Sequence, residues 1–172
     1  MRPLVLYAAI SIDGYLAGPN GELDFLPQSG DFGYETFYKS IDTTLMGYTT
    51  FHEVLGFGDF PYPDKTNYVF SRQQRDVSQH PVRLVNQDPV RFVEDLKSSQ
   101  GGKIWLVGGG TLNGLLLQAG LIDEIALYVF PVALGNGISL FKGAYGLQHY
   151  DLTSSEVLEG GAICLNYTKR AA

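Results

Sequence analysis

The 172-residue chain has a single cysteine, Cys164, so no disulfide can form within it and the fold must be held by its core. That scarcity points to a reducing, cytoplasmic setting, and Cys164, inside the apolar stretch "GGAICLNYTK", reads as a buried structural thiol. Positive charge is also scarce. Twelve Lys and Arg against eighteen Asp and Glu leave a formal net charge of -6, with no basic run, which argues against a nucleic-acid partner. Long apolar runs are missing as well. The stretch from Leu4 to Ile12 is too short to span a bilayer and leads into the turn-rich "DGYLAGPNG", so it reads as a first strand and no membrane partner is expected. His52, His80 and His149 fall in separate segments with no second ligand at metal spacing, so no metal site is expected. Repeats, low-complexity tracts and linkers are absent, and 45% hydrophobic residues suffice for one domain across 1–172.

What is present alternates strand and helix. "PLVLYAAISI" reads as a buried strand ended by Asp13-Gly14, followed by a long loop, "DGYLAGPNGELDFLPQSG". "DFGYETFYKSI" has helical spacing, with Asp31 placed to cap it. "TTLMG" reads as a strand, "YTTFHEVLG" opens a helix and "TNYVFS" forms a strand. "DPVRFVEDLKSS" reads as a helix capped by Asp88 with Pro89 in its first position. "KIWLVG" is then a strand, "TLNGLLLQAG" a helix with Leu112, Leu115, Leu116 and Ala119 on one face, and "EIALYVFPVAL" a strand. Asp123 and Glu124, before that strand, read as solvated. "HYDLTSSEVLEGG" and "AICLNYTKR" suggest a terminal hairpin. The expected class is α/β: a layered fold with a mainly parallel central sheet and an antiparallel C-terminal edge.

Gly108, Gly109 and Gly110 interrupt this pattern where a strand meets a helix. Glycine weakens both neighbours, so its use there implies a close approach of backbone to something. The spacing fits neither the dinucleotide fingerprint nor the P-loop. What remains is a glycine turn opening a helix, whose free N–H groups suit a pyrophosphate; a tight turn without a ligand is the plainer reading.

Three stretches read together narrow the choice. "VGGGT" at 107–111, "TLMGYTTFHEV" at 44–54 and "LYAAISIDGYLAG" at 6–18, with "DKTNYVFSRQ" at 64–73, resemble the motifs of the dihydrofolate-reductase-like superfamily in their order and separations. The resemblance spans roughly residues 4–141 and is closest to the branch of the riboflavin-biosynthesis reductase domain. It implies a three-layer sandwich and a bound NADPH. Gly109 and Gly110 would lie beside the pyrophosphate and nicotinamide, Gly108 just before them, and Thr111 and Leu112 at the start of the dipole-bearing helix. Thr49 and Thr50, after Met46-Gly47, match the pyrophosphate turn. Ser71 and Arg72 match the contacts to the 2′-phosphate, Ala9 and Leu16 the surroundings of the nicotinamide, and Val107 the pocket floor.

This chain departs from the family in places. Tyr48 stands where a basic residue follows Met-Gly, leaving Arg72, with Arg75, to hold a 2′-phosphate. Leu26 stands where the folate-reducing members have a tryptophan, the chain's Trp105 lying inside a strand instead, and Tyr128 replaces the threonine that supports their acid; both losses weigh against dihydrofolate. Asp31 falls at the position of that acid and is the candidate catalytic group, with a plain helix cap as its alternative.

The resulting expectation is an NADPH-dependent oxidoreductase that transfers hydride to a small pyrimidine- or pteridine-like heterocycle, or to a carbonyl or imine carbon. It would be similar to the 5-amino-6-(5-phosphoribosylamino)uracil reductase of riboflavin biosynthesis. Dihydrofolate reduction and a non-catalytic nucleotide-binding dimeric module are the alternatives. The aromatic stretches "FGYETFY" and "GFGDFPYP", together with the dimeric habit of the branch, imply a homodimer with the substrate pocket near the subunit contact; a monomer whose aromatics fold back on their own domain is the alternative.

Overall fold

The computed structural model describes residues 1–27 and 29–171. In chain order the first half comprises β1 (Leu4–Ser11), β2 (Tyr15–Ala17), α1 (Tyr34–Ser40), β3 (Ile41–Gly47), α2 (Tyr48–Leu55), β4 (Thr66–Phe70) and β5 (Val82–Val85). The second half comprises α3 (Pro89–Ser98), β6 (Lys103–Gly108), α4 (Gly110–Gln118), β7 (Glu124–Phe130), β8 (Ile138–Ser139), β9 (Tyr150–Val157) and β10 (Ile163–Lys169).

Eight strands form one sheet in the order β5-β4-β3-β6-β1-β7-β10-β9, and β2 pairs with β8 in a separate two-stranded ladder. Every pair from β5 through β7 is parallel, while β10 runs antiparallel to both β7 and β9. The parallel strands are apolar throughout because both their faces are covered. On one face Leu4, Leu6, Leu45, Ile104 and Leu106 pack with Val93 of α3 and Leu112 and Leu116 of α4. On the other, Met46, Val69 and Trp105 pack with Phe51 of α2 and with Tyr34 and Phe37 of α1. The result is the three-layer sandwich expected. Among the described residues no helix is long and apolar enough to cross a membrane.

Local chemistry explains the helix boundaries. Asp88 Oδ1 accepts the Arg91 N–H at 2.9 Å, so it caps α3 with Pro89 at the first position. Asp31 Oδ1 accepts the Glu35 N–H at 2.9 Å, but α1 itself begins only at Tyr34, because Phe32 and Gly33 hold left-handed φ values of 47° and 79°.

Several expectations need correction. Asp123 is not a free solvated acid: it accepts bonds from the Lys97 ammonium at 2.6 Å and the Leu4 N–H at 2.7 Å. Lys97 is 3% exposed and also donates to the Leu121 carbonyl at 2.6 Å, so its buried charge has two partners. Glu124 pairs with Lys103 at 2.6 Å. In α4 the buried side chains are Leu112, Asn113 and Leu116, while Leu115 is 39% exposed and Ala119 faces solvent, because the helix lies over the 139–144 segment as well as the sheet. The expected long loop contains β2, and the short β5 and β8 lack the run of β-branched and aromatic residues that would mark them in sequence.

Candidate active site

The carboxyl ends of β3, β4 and β6 and the starts of α2 and α4 surround a cleft of about 970 Å³. Parallel sheets place ligands at this end, where helix N-termini converge. Neither α2 nor α4 has a side-chain cap, so free backbone N–H groups and the positive ends of two helix dipoles face one space. The two starts nearly touch: a β-carbon on Gly109 would come within 3.0 Å of Thr50 Oγ1.

Most of the residues expected at a cofactor line this cleft. Gly47, Thr49 and Thr50 come from the β3–α2 turn, and Val107, Gly109, Gly110, Thr111 and Leu112 from the β6–α4 turn. Ser71 and Arg72 follow β4, and Leu16 comes from β2. Two expected residues sit elsewhere. Gly108 is buried behind the turn with φ at 121°, and Ala9 lies on the sheet beside the cleft, in register with Tyr128.

The three glycines therefore have separate causes. Gly108 holds a backbone conformation that side chains disfavour. At Gly110 a β-carbon would overlap the Ser139 carbonyl oxygen, and Gly114 meets Lys142 in the same way. Gly109 alone borders the cleft with no backbone against it.

Three cations line the cleft: Arg72, Arg75 and Lys142. None of them has an ion-pair partner among the described residues, whereas Arg2, Lys65, Lys97 and Lys103 are all paired. Glu53 is the acidic residue in the same lining, so a chain of net charge -6 has gathered a net positive charge at two helix starts. The Arg75 guanidinium lies over the Tyr48 ring, 4.7 Å from its centroid, so the ring that replaces the family's basic residue holds a cation from elsewhere. Lys142 escaped the sequence reading. It follows β8, far along the chain, and reaches the cleft because its N–H bonds the Gly110 carbonyl at 2.9 Å.

Beside Val107 the sheet face carries Tyr7, Ala9 and Tyr128. The Tyr7 ring stacks on Phe37 with centroids 4.1 Å apart and lies 4.9 Å from Tyr128. The Tyr128 hydroxyl reaches the start of α1, 3.2 Å from the β-carbon position of Gly33. Burial pushes the Tyr7 phenol above its ordinary value, and burial followed by the hydrogen bond with Tyr7 raises that of Tyr128, so both stay neutral at physiological pH. Asp31 lies near enough to act on Tyr7 electrostatically but is exposed and does not line the cleft. Leu26 packs against the Tyr128–Phe130 cluster, and Trp105 is buried, its indole N–H donating to the Tyr7 carbonyl at 3.3 Å. Cys164 is buried, in register with Tyr128.

Comparison with known proteins agrees with this geometry. The RibD C-terminal domain family matches residues 2–164. The uncharacterized protein YwjB of Bacillus subtilis is 38% identical over 172 residues, covering 98% of each chain. A crystal structure from Shewanella sp. PV-4, whose name as a riboflavin biosynthesis protein is itself provisional, superposes with a TM-score of 0.88 at 29% identity, covering 98% of this chain and 99% of that one. Dihydrofolate reductase from Enterococcus faecalis, complexed with NADP(H), gives a TM-score of 0.70 at 16% identity over 98% and 97% of the two chains. At that identity the likeness is one of fold, and it establishes the dihydrofolate-reductase-like architecture.

Proposed function

The chain belongs to the RibD C-terminal domain family, and from that membership we propose that it is an NADPH-dependent reductase acting on a small heterocyclic, carbonyl or imine acceptor. One observation carries the reading: two uncapped helix starts and three unpaired cations face a single cleft, with Gly109 between them. A dinucleotide fits that cradle. The pyrophosphate would take the N–H groups at Thr49, Thr50, Gly110 and Thr111, with Lys142 alongside, and the 2′-phosphate would take Ser71, Arg72 and Arg75. The nicotinamide end would reach Leu16, Ala9 and Val107. When bound, the cofactor supplies hydride; the protein aligns its ring against the acceptor and keeps water away.

The acceptor would lie over Ala9, between Val107 and Tyr128, within reach of Asp31. Two neutral phenols border that position, and they suit an acceptor that presents carbonyl or ring-nitrogen lone pairs. Dihydrofolate fits less well, since Tyr128 places a buried ring where the folate reducers have a small side chain. The family membership supports an activity similar to that of 5-amino-6-(5-phosphoribosylamino)uracil reductase as the reading to test first. A cytoplasmic location suits both the cofactor and the free thiol of Cys164.

The unaltered protein is expected to bind NADPH with a Kd near the micromolar range common for such cofactors, read by nicotinamide fluorescence and calorimetry. Gly109→Val should weaken binding at least about a hundredfold, the ~3 kcal/mol that overpacking a tight contact can cost. The absence of binding by the unaltered protein in both assays would refute the cofactor reading. Oxidation of NADPH in a substrate screen separates an enzyme from a non-catalytic binding module.

We also propose that the protein works as a homodimer. Most of the aromatic side chains pack within their own chain: Phe60 and Tyr62 are buried, Tyr34, Phe37 and Tyr38 are half-buried, and Phe57 is largely exposed. One uncovered apolar face lies at the β9 edge of the sheet. Register places Val157 opposite Ile163 and Leu152 opposite Tyr167, so these side chains share one face of β9 and β10, with Val157 77% and Leu152 55% exposed. A second copy covering this face accounts for its exposure. Light scattering during size exclusion should give twice 18.9 kDa at high micromolar concentration, and a mass that stays at 18.9 kDa would rule the dimer out.

A further inference from the structure

Asp13 joins two segments that are far apart in sequence. It sits in the turn after β1, where the Gly14 N–H bonds the Ser11 carbonyl at 3.0 Å and Gly14 holds a φ of 84°. Its Oδ1 accepts the Ser11 hydroxyl at 2.6 Å and the Leu134 N–H at 3.1 Å, and its Oδ2 accepts the Gly135 N–H at 2.7 Å. Ser11, itself fully buried, accepts the Tyr15 N–H on the same oxygen at 3.0 Å. One carboxylate thus holds both the start of β2 and the loop that leads into β8.

Each segment then builds part of the cleft. Beyond β2, Pro19, Gly21 and Leu23 line it with Leu16 and Ala17, and beyond the 134–135 loop Ile138 and Lys142 do so. The β2–β8 ladder joins the segments, with Tyr15 opposite Ser139 and Ala17 opposite Ile138, and the Leu140 N–H bonds the Gly14 carbonyl at 3.0 Å. The second segment is also fastened to α4. Besides the bond from Lys142 to Gly110, Asn113 Nδ2 donates to the Leu140 carbonyl at 3.1 Å. A continuous chain of hydrogen bonds therefore runs from the turn at Asp13, through β8, to the helix start that faces the cleft.

The ladder is short, two residues on the β8 side, and a two-stranded ribbon of that size is not stable alone. Its closure depends on contacts at its ends. Asp13 is exposed, yet bonds from Ser11 and then Gly135 hold its carboxyl down at about 2, so it carries full charge at any working pH. Charge-assisted bonds to two backbone N–H groups are the stronger kind.

We propose that Asp13 is a positioning residue: it latches β2 and the 18–23 loop against the 134–142 segment, and that latch keeps the wall of the cleft closed over a bound dinucleotide. The proposal rests on the cofactor reading above. Asp13 touches neither cofactor nor acceptor, so its removal acts through the wall. Release of the cofactor should accelerate while the main sheet stays intact.

The test compares the unaltered protein with Asp13→Ala, with Asp13→Asn, and with Asp13→Ala carrying Tyr15→Cys and Ser139→Cys, whose thiols would cross-link facing positions of the ladder. NADPH release is followed by stopped-flow fluorescence, and amide hydrogen exchange is followed in parallel. Asp13→Ala should release NADPH about tenfold faster, as expected for loss of bonds to a charged acceptor, with Asp13→Asn between the two. Exchange should rise at 14–17 and 134–140 and stay unchanged in β3, β4 and β6. Oxidising the cross-link should restore slow release, and reducing it should abolish the rescue. Release within twofold of the unaltered protein, fast release that the cross-link does not correct, or exchange rising through the whole sheet would each overturn the latch. Failure of the unaltered protein to bind NADPH would remove the cofactor reading and this proposal together, and it is told apart because it precedes any substitution.

Discussion

Gly110→Ala is expected to destabilise the whole domain, not only to impair the cleft. Gly110 has an ordinary backbone conformation, so the effect is purely steric. Its missing β-carbon leaves room for the Ser139 carbonyl oxygen, and Lys142 Cβ lies 3.5 Å from the same point. The intruding atom would be backbone, which cannot rotate away as a side chain does. Either α4 shifts off the sheet, pulling Leu112 and Leu116 from the core, or the 139–142 segment moves and breaks the bond from Lys142 to Gly110. Overpacking of this kind costs about 3 kcal/mol, a fall in Tm of roughly 6–12 °C for a domain of this length. Gly109→Ala is the control. Its φ of -88° suits any residue, and its β-carbon would meet only the Thr50 hydroxyl, so its melting should change little. Equal melting temperatures for Gly110→Ala and the unaltered protein in calorimetry would show that the helix start does not lie against β8.

The second large effect is selective for phosphate. Removing both Arg72 and Arg75 should weaken NADPH by about 3 kcal/mol, more than a hundredfold in Kd, and leave NADH within about twofold. Two charge-assisted contacts to a group that NADH lacks would be lost. Arg72→Ala alone should cost about 1–3 kcal/mol, and because the two guanidinium groups would share one phosphate, the single losses need not add up to the double one. Titrating both cofactors against the three variants decides it. Parallel losses for NADPH and NADH would mean that these cations hold the shared pyrophosphate and that the 2′-phosphate lies elsewhere.

The strand–helix alternation and the glycine turn were legible in the sequence because each depends on neighbours in the chain. β1, β4, β6 and β7 are apolar runs bounded by turn residues, and Asp88-Pro89 is a helix start in two residues. Where a short element owes its existence to a distant partner, the pattern was silent. β2 is three residues and β8 two, and each exists through the other and through Asp13. The ion pair of Lys97 with Asp123 joins α3 to the start of β7, and no local rule links those positions.

The candidate site divides in the same way. Its backbone components, from Gly47 to Thr50 and from Gly109 to Leu112, follow from a strand running into a helix, an arrangement written in consecutive residues. Its charge does not. Arg75 enters by lying on Tyr48, and Lys142 by its segment's attachment to Gly110, so each is placed by a contact across the fold. The acceptor side depends most on tertiary structure. Tyr7 and Tyr128 come from the first strand and the seventh, and the register that sets Tyr7 opposite Ala126 and Ala9 opposite Tyr128 brings the two rings onto one face.

By itself the sequence determined that this is one α/β layer fold whose glycine turn opens a helix at the carboxyl end of a parallel strand. Hydrophobic period, caps and breakers act over a few residues and are readable in one dimension. Tertiary structure alone decided why Gly110 and Gly114 are glycines, which cations remain unpaired in the cleft, and where the wall of the cleft is fastened. Those outcomes depend on steric exclusion and hydrogen bonding between atoms more than twenty residues apart, and only the packed chain brings such atoms within reach of each other.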